Sequence, residues 1–154
     1  MHKFKKFRFN INTSNVNNMS KMFFQCNSLI NLTFIDNCNN TTISNNDNSD
    51  FIYQKQNTNN GNIFSTSKVK DMSFMFFECK SLKKLDLSCF KTNNVDNMES
   101  MFYKCLSLIN LNLSNFQVKN STNLSDIFNG INKECKISCN DKRINKKKDE
   151  CLIF

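Results

Sequence analysis

The residues with the clearest chemical potential are the last four, Cys151-Leu152-Ile153-Phe154. A cysteine followed by two aliphatic residues and a final residue forms the C-a-a-X signal for prenylation, and a final phenylalanine favours geranylgeranyl over farnesyl transfer. In that reaction the cysteine thiolate attacks an isoprenoid diphosphate. We therefore predict that Cys151 is a lipidation site.

A basic cluster directly precedes this box. Its members are Lys142, Arg143, Lys146, Lys147 and Lys148. A single lipid gives only reversible membrane binding, so a second signal normally accompanies it. Each basic residue near an anionic leaflet contributes about 1 kcal/mol. We predict that residues 140–154 are a basic tail that binds an anionic membrane surface together with the prenyl group.

The other cysteines could in principle hold a metal. The chain has 8 Cys but only 1 His, and Cys26, Cys79 and Cys105 recur at one position of a repeated pattern. No C-x-x-C pair or second histidine supports a zinc site, whereas free cysteine commonly serves as a small buried hydrophobe. We therefore predict a structural role for these three thiols and no metal site.

Catalytic machinery is not evident in the sequence. The acidic residues are scattered, one histidine cannot build a Ser-His-Asp arrangement, and Gly61 and Gly130 alone cannot form a glycine-rich phosphate loop. The sequence predicts a protein that is not an enzyme and that uses no cofactor or small-molecule substrate.

Composition and charge narrow the setting. With no Pro and 2 Gly, the chain must turn at Asn, Asp and Ser, whose side chains bond to nearby backbone. The net charge of +8 is compatible with an acidic membrane surface or nucleic acid. Because the basic N-terminus precedes no apolar run and no stretch reaches about 20 apolar residues, we expect a cytosolic chain with reduced thiols.

An internal repeat positions these residues. One copy contains Val69, Met72, Met75, Phe76, Cys79, Ser81, Leu82, Leu85, Leu87 and Phe90. A second copy follows 26 positions later as Val95, Met98, Met101, Phe102, Cys105, Ser107, Leu108, Leu111, Leu113 and Phe116. An earlier copy begins at Val16, and a weaker one contains Leu124, Ile127 and Phe128. Chance does not keep ten positions in register, so we interpret the chain as a repeat array.

Each copy has two halves. The apolar residues from Val69 to Cys79 are spaced mostly by three, which predicts a short helix. The following L-x-x-L-x-L segment alternates, as a strand with one buried face does. We therefore predict an α/β leucine-rich-repeat solenoid with a short parallel sheet on one face and short helices on the other.

The ends and one interruption complete the predicted organisation. Phe4–Phe9 is interpreted as a truncated first strand, and residues 134–139 as a degenerate terminal strand that caps the array. The register slips by one residue between Leu29 and Leu82, across an Asn-, Asp- and Ser-rich segment at about 38–63. That segment is interpreted as a polar insert, with a decayed repeat as the alternative. The predicted units are a solenoid at 1–139 and a tail at 140–154.

The pattern V-x-x-M-x-x-M-F-x-x-C-x-S-L-x-x-L-x-L-S-x-F resembles the BspA-like leucine-rich repeats, also described as the mycoplasma-lipoprotein-type repeat domain. The resemblance covers residues 4–139 apart from the insert. It implies binding, adhesion or scaffolding without catalytic residues.

The open face of the predicted sheet is the candidate partner-binding face. Residues between the leucines project from it: Lys6, Arg8, Asn31, Thr33, Lys84, Asp86, Asn110, Asn112, Lys136 and Ser138. A merely solvated sheet fits these residues as well as a binding face does. An acidic protein partner or a phosphoinositide headgroup is the sharper hypothesis. Nucleic acid is disfavoured because no stacking aromatics stand between the basic residues.

Three functions follow as hypotheses. The first is a prenylated protein-interaction module on the cytoplasmic face of a plasma membrane or endomembrane. The second, implied by the resemblance, is a cell-surface adhesin or antigen. The third is a truncated member of a repeat family without a distinct function.

Overall fold

The structure, a computed structural model, describes residues 12–34 and 64–152. The predicted opening strand at residues 4–9 and the insert at about 38–63 lie outside the described residues. Four short strands, β1 (Asn31–Thr33), β2 (Lys84–Asp86), β3 (Asn110–Leu113) and β4 (Lys136–Cys139), precede one helix, α1 (Lys142–Leu152). The protein is therefore an α/β mixture.

The strands form one parallel sheet in the order β1-β2-β3-β4, as the alternating leucines predict. Leu32, Leu85, Leu111 and Ile137 are direct partners across the sheet and are all buried. Alternation places them on the core side while their neighbours project to the other face. The sequence spacing thus sets the register of all four strands.

The helical half of the prediction is wrong for the described residues. Four turn segments stand where short helices were expected, at residues 18–25, 71–78, 97–104 and 123–130. Alternate N–H groups donate to the next turn segment, in the pairs Met72→Asn97, Phe74→Glu99, Phe76→Met101 and Glu78→Tyr103. The N–H groups between them donate locally to carbonyls three residues back, in the pairs Met75→Met72, Phe77→Phe74 and Cys79→Phe76.

Backbone dihedrals explain why no helix forms there. Phe74 and Glu78 have φ of 57° and 53°, which is left-handed backbone and interrupts a right-handed helix every four residues. A helix satisfies its hydrogen bonds internally, whereas these segments direct half of theirs to the neighbouring repeat. The three-residue spacing of the apolar side chains is common to helices and to successive turns, so periodicity alone did not separate the two.

Stacked phenylalanine rings run through the core at right angles to the strands. The rings of Phe76 and Phe102 lie 5.8 Å apart with 3° between their planes, and Phe102 and Phe128 repeat the 5.8 Å spacing. All three are fully buried. Burying one such side chain contributes roughly 1.5–3 kcal/mol, so this column is a principal source of stability.

A buried threonine column links the units at another corner. The hydroxyl of Thr92 donates to the carbonyl of Gln117 at 3.0 Å and accepts the Gln117 N–H at 2.9 Å. Thr66 repeats both bonds with Lys91, and Thr13 repeats them with Ser65. Each hydroxyl therefore satisfies two part-buried backbone groups of the next segment.

Asparagine and aspartate side chains begin the turns. Asn18, Asp71, Asn97 and Asn123 occupy one position in the four repeats and are bridged in parallel pairs. The carboxylate of Asp71 accepts the Ser73 N–H at 2.8 Å, and the Asn18 amide oxygen accepts the Ser20 N–H at 2.7 Å. These Asx turns reverse the chain direction, a role that proline and glycine have in most proteins.

Candidate partner-binding face

The sheet presents two straight rows of side chains on its open face. Strand register aligns Asn31, Lys84, Asn110 and Lys136 in the first row, and Asp86, Asn112 and Ser138 in the second, whose backbone register begins at Thr33. Neighbouring strands are about 4.8 Å apart, so Lys84 and Lys136 stand roughly 10 Å apart with Asn110 between them. The structure thus brings together the described residues that the sequence assigned to this face.

The two rows differ in freedom. Lys84, Asn110 and Lys136 are exposed. Within the part of the chain that the structure describes, their side chains form no hydrogen bond or ion pair. In the second row, Asp86 accepts the Ser88 N–H at 2.9 Å and Asn112 accepts the Ser114 N–H at 3.1 Å. These two half-buried side chains are oriented before any partner arrives, because each already closes the turn after its strand.

The described part of the face carries a positive excess. Lys84 and Lys136 contribute two cations, and Asp86 is the acid beside them. The remaining predicted members, Lys6 and Arg8, lie outside the described residues. The ammonium groups of Lys84 and Lys136 can pair with carboxylates, and the Asn110 amide between them can bond to a peptide group. The face therefore suits an acidic extended segment.

A cleft of about 750 Å³ opens where β2, β3 and β4 end. Its polar walls include Lys91, Asn93, Gln117, Asn120 and Lys142. The amides of Asn115 and Asn140 donate across it to the carbonyls of Ser88 and Ser114, at 2.6 and 3.0 Å. No motif in the sequence predicts this cleft. The only related pattern is that some of its lining residues recur 26 positions apart.

The predicted basic cluster does not form one patch. Lys142 and Lys146 are exposed, whereas the guanidinium of Arg143 donates to the backbone carbonyls of Lys119 and Thr122. Lys147 pairs with Glu150 at 2.8 Å. The helical fold of the tail therefore commits two of the five cations to contacts within the protein.

Cys151 lies in the last turn of α1 and is half-buried. Burial raises the pKa of its thiol, and Lys147 and the neighbouring backbone of Phe128 partly offset that rise. Prenyl transfer requires a thiolate at an accessible terminus. In the docked conformation of α1 the thiol is less acidic and less accessible than in a solvated tail.

Of the three repeated cysteines, Cys79 and Cys105 have the buried position that the sequence predicts, whereas Cys26 is half-buried. Cys79 and Cys105 are fully buried, and their thiols donate to the carbonyls of Phe23 and Phe76 at 3.1 and 3.2 Å. Burial raises the pKa of Cys79 to about 12 and raises that of Cys105 further. Both are inert thiols that join neighbouring repeats.

A second surface feature escaped the sequence analysis. The rings of Phe24, Phe77 and Tyr103 stack at 4.9 and 4.8 Å along the outside of the turn segments. Phe24 is 38% exposed, and Lys104 lies over the Tyr103 ring at 5.0 Å. The sequence does contain a pattern that could have predicted this stack: an aromatic residue directly follows each of the core residues Phe23, Phe76 and Phe102.

The described residues contain neither a metal-binding group nor a membrane span. Among residues 12–34 and 64–152, no three His, Cys, Asp or Glu side chains are grouped so as to hold a metal ion. Within the same ranges, no helix has the length and apolar character needed to cross a bilayer.

These features define a class: an α/β protein in which repeated turn segments and parallel strands leave one polar, cation-bearing sheet face open. The chain belongs to the family described as "Mycoplasma protein of unknown function, DUF285", whose model matches residues 31–140. That match confirms the resemblance to the mycoplasma-type repeats at the level of the family. No curated protein and no solved structure matches the chain.

Proposed function

We propose that the protein is a leucine-rich-repeat solenoid that serves as a non-enzymatic protein-interaction module. Its partner surface is the open sheet face. The observation that supports this most directly is the in-register row Asn31, Lys84, Asn110 and Lys136. Parallel strands repeat these side chains at a constant spacing, as repeat proteins do on the surfaces where they hold partners.

The preferred partner is an acidic extended segment of a protein. Lys84 and Lys136 are separated by two strand spacings, roughly 10 Å, which is about the distance spanned by three residues of an extended chain. In a segment with the polyproline II conformation, which returns every third side chain to the same side, carboxylates three residues apart can thus reach both ammonium groups. Asn110 lies between them and can bond to the peptide group of the same segment.

Charge reversal on the face tests this. The full chain with Lys84→Glu and Lys136→Glu is compared with wild type for binding a fluorescent glutamate-rich peptide, by anisotropy at low and moderate salt. We expect at least tenfold weaker binding in the variant and salt-sensitive binding in wild type. The matched control is Lys68→Glu with Lys146→Glu, which changes the net charge equally at exposed lysines away from the sheet.

Three outcomes would contradict the proposal. Equal loss of binding in both double variants means that net charge alone attracts the peptide. Binding of the uncharged glutamine counterpart with the same affinity means that the lysines are not recognising carboxylates. Binding of wild type to phosphatidylserine vesicles but not to the peptide would favour a lipid headgroup instead.

The second part of the proposal is a membrane tether through Cys151 on the cytoplasmic face. It is supported by the C-a-a-X sequence and by the exposed Lys142 and Lys146, and it requires the last turn of α1 to unwind. Mass spectrometry of the native carboxyl terminus detects the isoprenoid. Cys151→Ser should move the protein to the soluble fraction, whereas Cys89→Ser, at another half-buried cysteine, should not. Membrane association that survives Cys151→Ser rules the tether out.

A cell-surface adhesin is the second candidate, supported by the family resemblance. Antibody labelling of intact cells distinguishes it, because a cytoplasmic protein is labelled only after permeabilisation. A truncated family member without a distinct function is the third. A cooperative thermal transition of the purified chain would argue against that candidate.

A further inference from the structure

The two ends of the stacked array are chemically different. In every observed contact between turn segments, alternate N–H groups of the earlier segment donate to carbonyls of the later one, as Met98, Ser100, Phe102 and Lys104 donate to Asn123, Ser125, Ile127 and Asn129. Among the described residues, no earlier segment donates to the carbonyls of the first turn segment. In the same ranges, no later segment accepts the N–H groups of the last one.

The acceptor edge consists of the carbonyls of Asn18, Ser20, Met22 and Phe24. These correspond to the carbonyls of Asp71, Ser73, Met75 and Phe77, which accept bonds from the segment before them at 2.8–3.0 Å. Within the described parts of the chain, no group donates to the four carbonyls of the acceptor edge.

The donor edge consists of the N–H groups of Leu124, Asp126, Phe128 and Gly130. Across residues 12–34 and 64–152, those of Leu124, Asp126 and Gly130 have no protein acceptor. The Phe128 backbone lies beside the sulfur of Cys151 and lowers the pKa of that thiol. A row of such donors resembles the open edge of a sheet, which associates with other chains unless it is covered.

Helix α1 lies against this last unit. Ile144 is 0% exposed, the Asn145 amide donates to the Cys139 carbonyl at 3.1 Å, and Arg143 donates to Thr122 at 3.0 Å. At its far end, Cys151 reaches Phe128. The family match ends at residue 140, so α1 is an addition to the matched region that contacts it at several points.

We propose that α1 is a cap on a self-association edge, and that a second copy of this chain binds when α1 undocks. The last turn segment of one copy then stacks on the first turn segment of the next, with the donor edge facing the acceptor edge. The three observed contacts between turn segments provide the register for this pairing. Such a contact is head-to-tail and generates open chains of molecules, which explains the need for a cap.

Charge complementarity favours a second copy as the occupant. In the shared register, position 126 of one copy meets position 21 of the next, as position 100 meets position 126 within the chain. Asp126 and Lys21 are both exposed and share the same left-handed φ, 53° and 59°. Stacking therefore places opposite charges side by side at the new contact.

Undocking of α1 in the full chain tests the proposal. Ile144→Asp places a charge in a fully buried position and should release α1. We expect molar mass from light scattering to increase with protein concentration in this variant and to stay monomeric in wild type. Alkylation of Cys151 by iodoacetamide, followed by peptide mass spectrometry, should become at least tenfold faster and reports undocking independently.

A charge-swap experiment identifies the edge. In the Ile144→Asp background, Asp126→Lys and Lys21→Asp should each weaken association at least tenfold, because like charges then meet. An equimolar mixture of the two should restore it, because each contact between the two different variants pairs opposite charges and alternating chains can form. The control Glu99→Lys changes a half-buried acid within the array and should not be rescued by Lys21→Asp.

Each outcome bears on the proposal. A folded Ile144→Asp protein with fast alkylation that stays monomeric overturns it, as does association that the mixture does not restore. If circular dichroism shows that Ile144→Asp unfolds, Arg143→Ala replaces it, since that change removes one anchor of α1 and leaves no buried charge. Slow alkylation of Cys151 in both variants overturns the assignment of α1 as a removable cap.

Discussion

The guanidinium of Arg143 donates to the carbonyl of Thr122 at 3.0 Å. This bond is the last in a series that backbone N–H groups form in the preceding units. In the preceding units the equivalent carbonyls of Lys70 and Asp96 accept the N–H groups of Asp96 and Asn123, at 2.8 and 2.9 Å. Within residues 64–152 no further turn segment follows the one at 123–130, and the Arg143 side chain donates where a backbone amide would otherwise do so. A residue that the sequence placed in a basic membrane tail thus completes the fold.

Arg143→Ala should lower the free energy of unfolding by about 1–3 kcal/mol, because it removes two charge-assisted bonds to backbone carbonyls. Urea denaturation followed by circular dichroism measures this. Lys142→Ala, at an exposed neighbour, should change stability by less than about 0.5 kcal/mol. Equal effects from the two variants would show that Arg143 does not anchor α1.

Thr92→Val should destabilise the protein by about 1–3 kcal/mol, because it leaves the part-buried N–H and carbonyl of Gln117 without their partner hydroxyl. Thr92→Ser retains the hydroxyl and should lose only the methyl contribution. The chain has its own precedent: valine occupies the equivalent position 118, and there the Asp141 carboxylate accepts the Arg143 N–H, the counterpart of the Gln117 N–H, at 2.9 Å. Thermal unfolding of the two variants gives the comparison, and a Thr92→Ser protein as unstable as Thr92→Val would contradict the role of the hydroxyl.

Phe102→Ala should cost about 3–5 kcal/mol, because it opens a cavity in the middle of the phenylalanine column. That loss is comparable with the whole stability of a small domain, so the variant is expected to be largely unfolded at 37 °C. Phe24→Ala, at a ring 38% exposed, should cost much less. The midpoint of chemical denaturation separates them, and similar midpoints would argue against the column as a principal source of stability.

Stability should fall as pH rises between about 9 and 12 because of the buried thiols. Burial raises the pKa of Cys79 from 9.0 to about 12, so in this window the unfolded chain loses the proton and the folded chain keeps it. The contribution is fully present below pH 9 and is lost as pH rises through the folded pKa. Cys79→Ala should flatten the alkaline slope of the free energy of unfolding, whereas Cys26→Ala, at the half-buried equivalent position, should leave most of it. An unchanged slope in Cys79→Ala would contradict the role of the Cys79 thiol.

The strands were predictable because their signal is local. Alternation at Leu82, Leu85 and Leu87 specifies which side chains face the core, and the 26-residue interval specifies which strands are neighbours. Lys84 and Asn110 therefore reached the open face where the sequence placed them. Burial of the cysteines followed equally from position, since Cys79 and Cys105 recur within an apolar pattern and lack metal-binding companions.

The turn segments and the tail were decided by tertiary structure. The spacing of Met72, Met75 and Phe76 fits both a helix and a series of turns, and only the neighbouring unit, which accepts every second N–H, selects the turns. Residues 142–152 resemble a charged tail in sequence. In the structure they pack on the end of the array, where Arg143, Ile144 and Cys151 contact the last unit. The sequence by itself determined the repeat, the sheet and its register, because those depend on local periodicity. The backbone form of the turn segments and the role of α1 depend on hydrogen-bonding groups of distant residues, which no local pattern reveals.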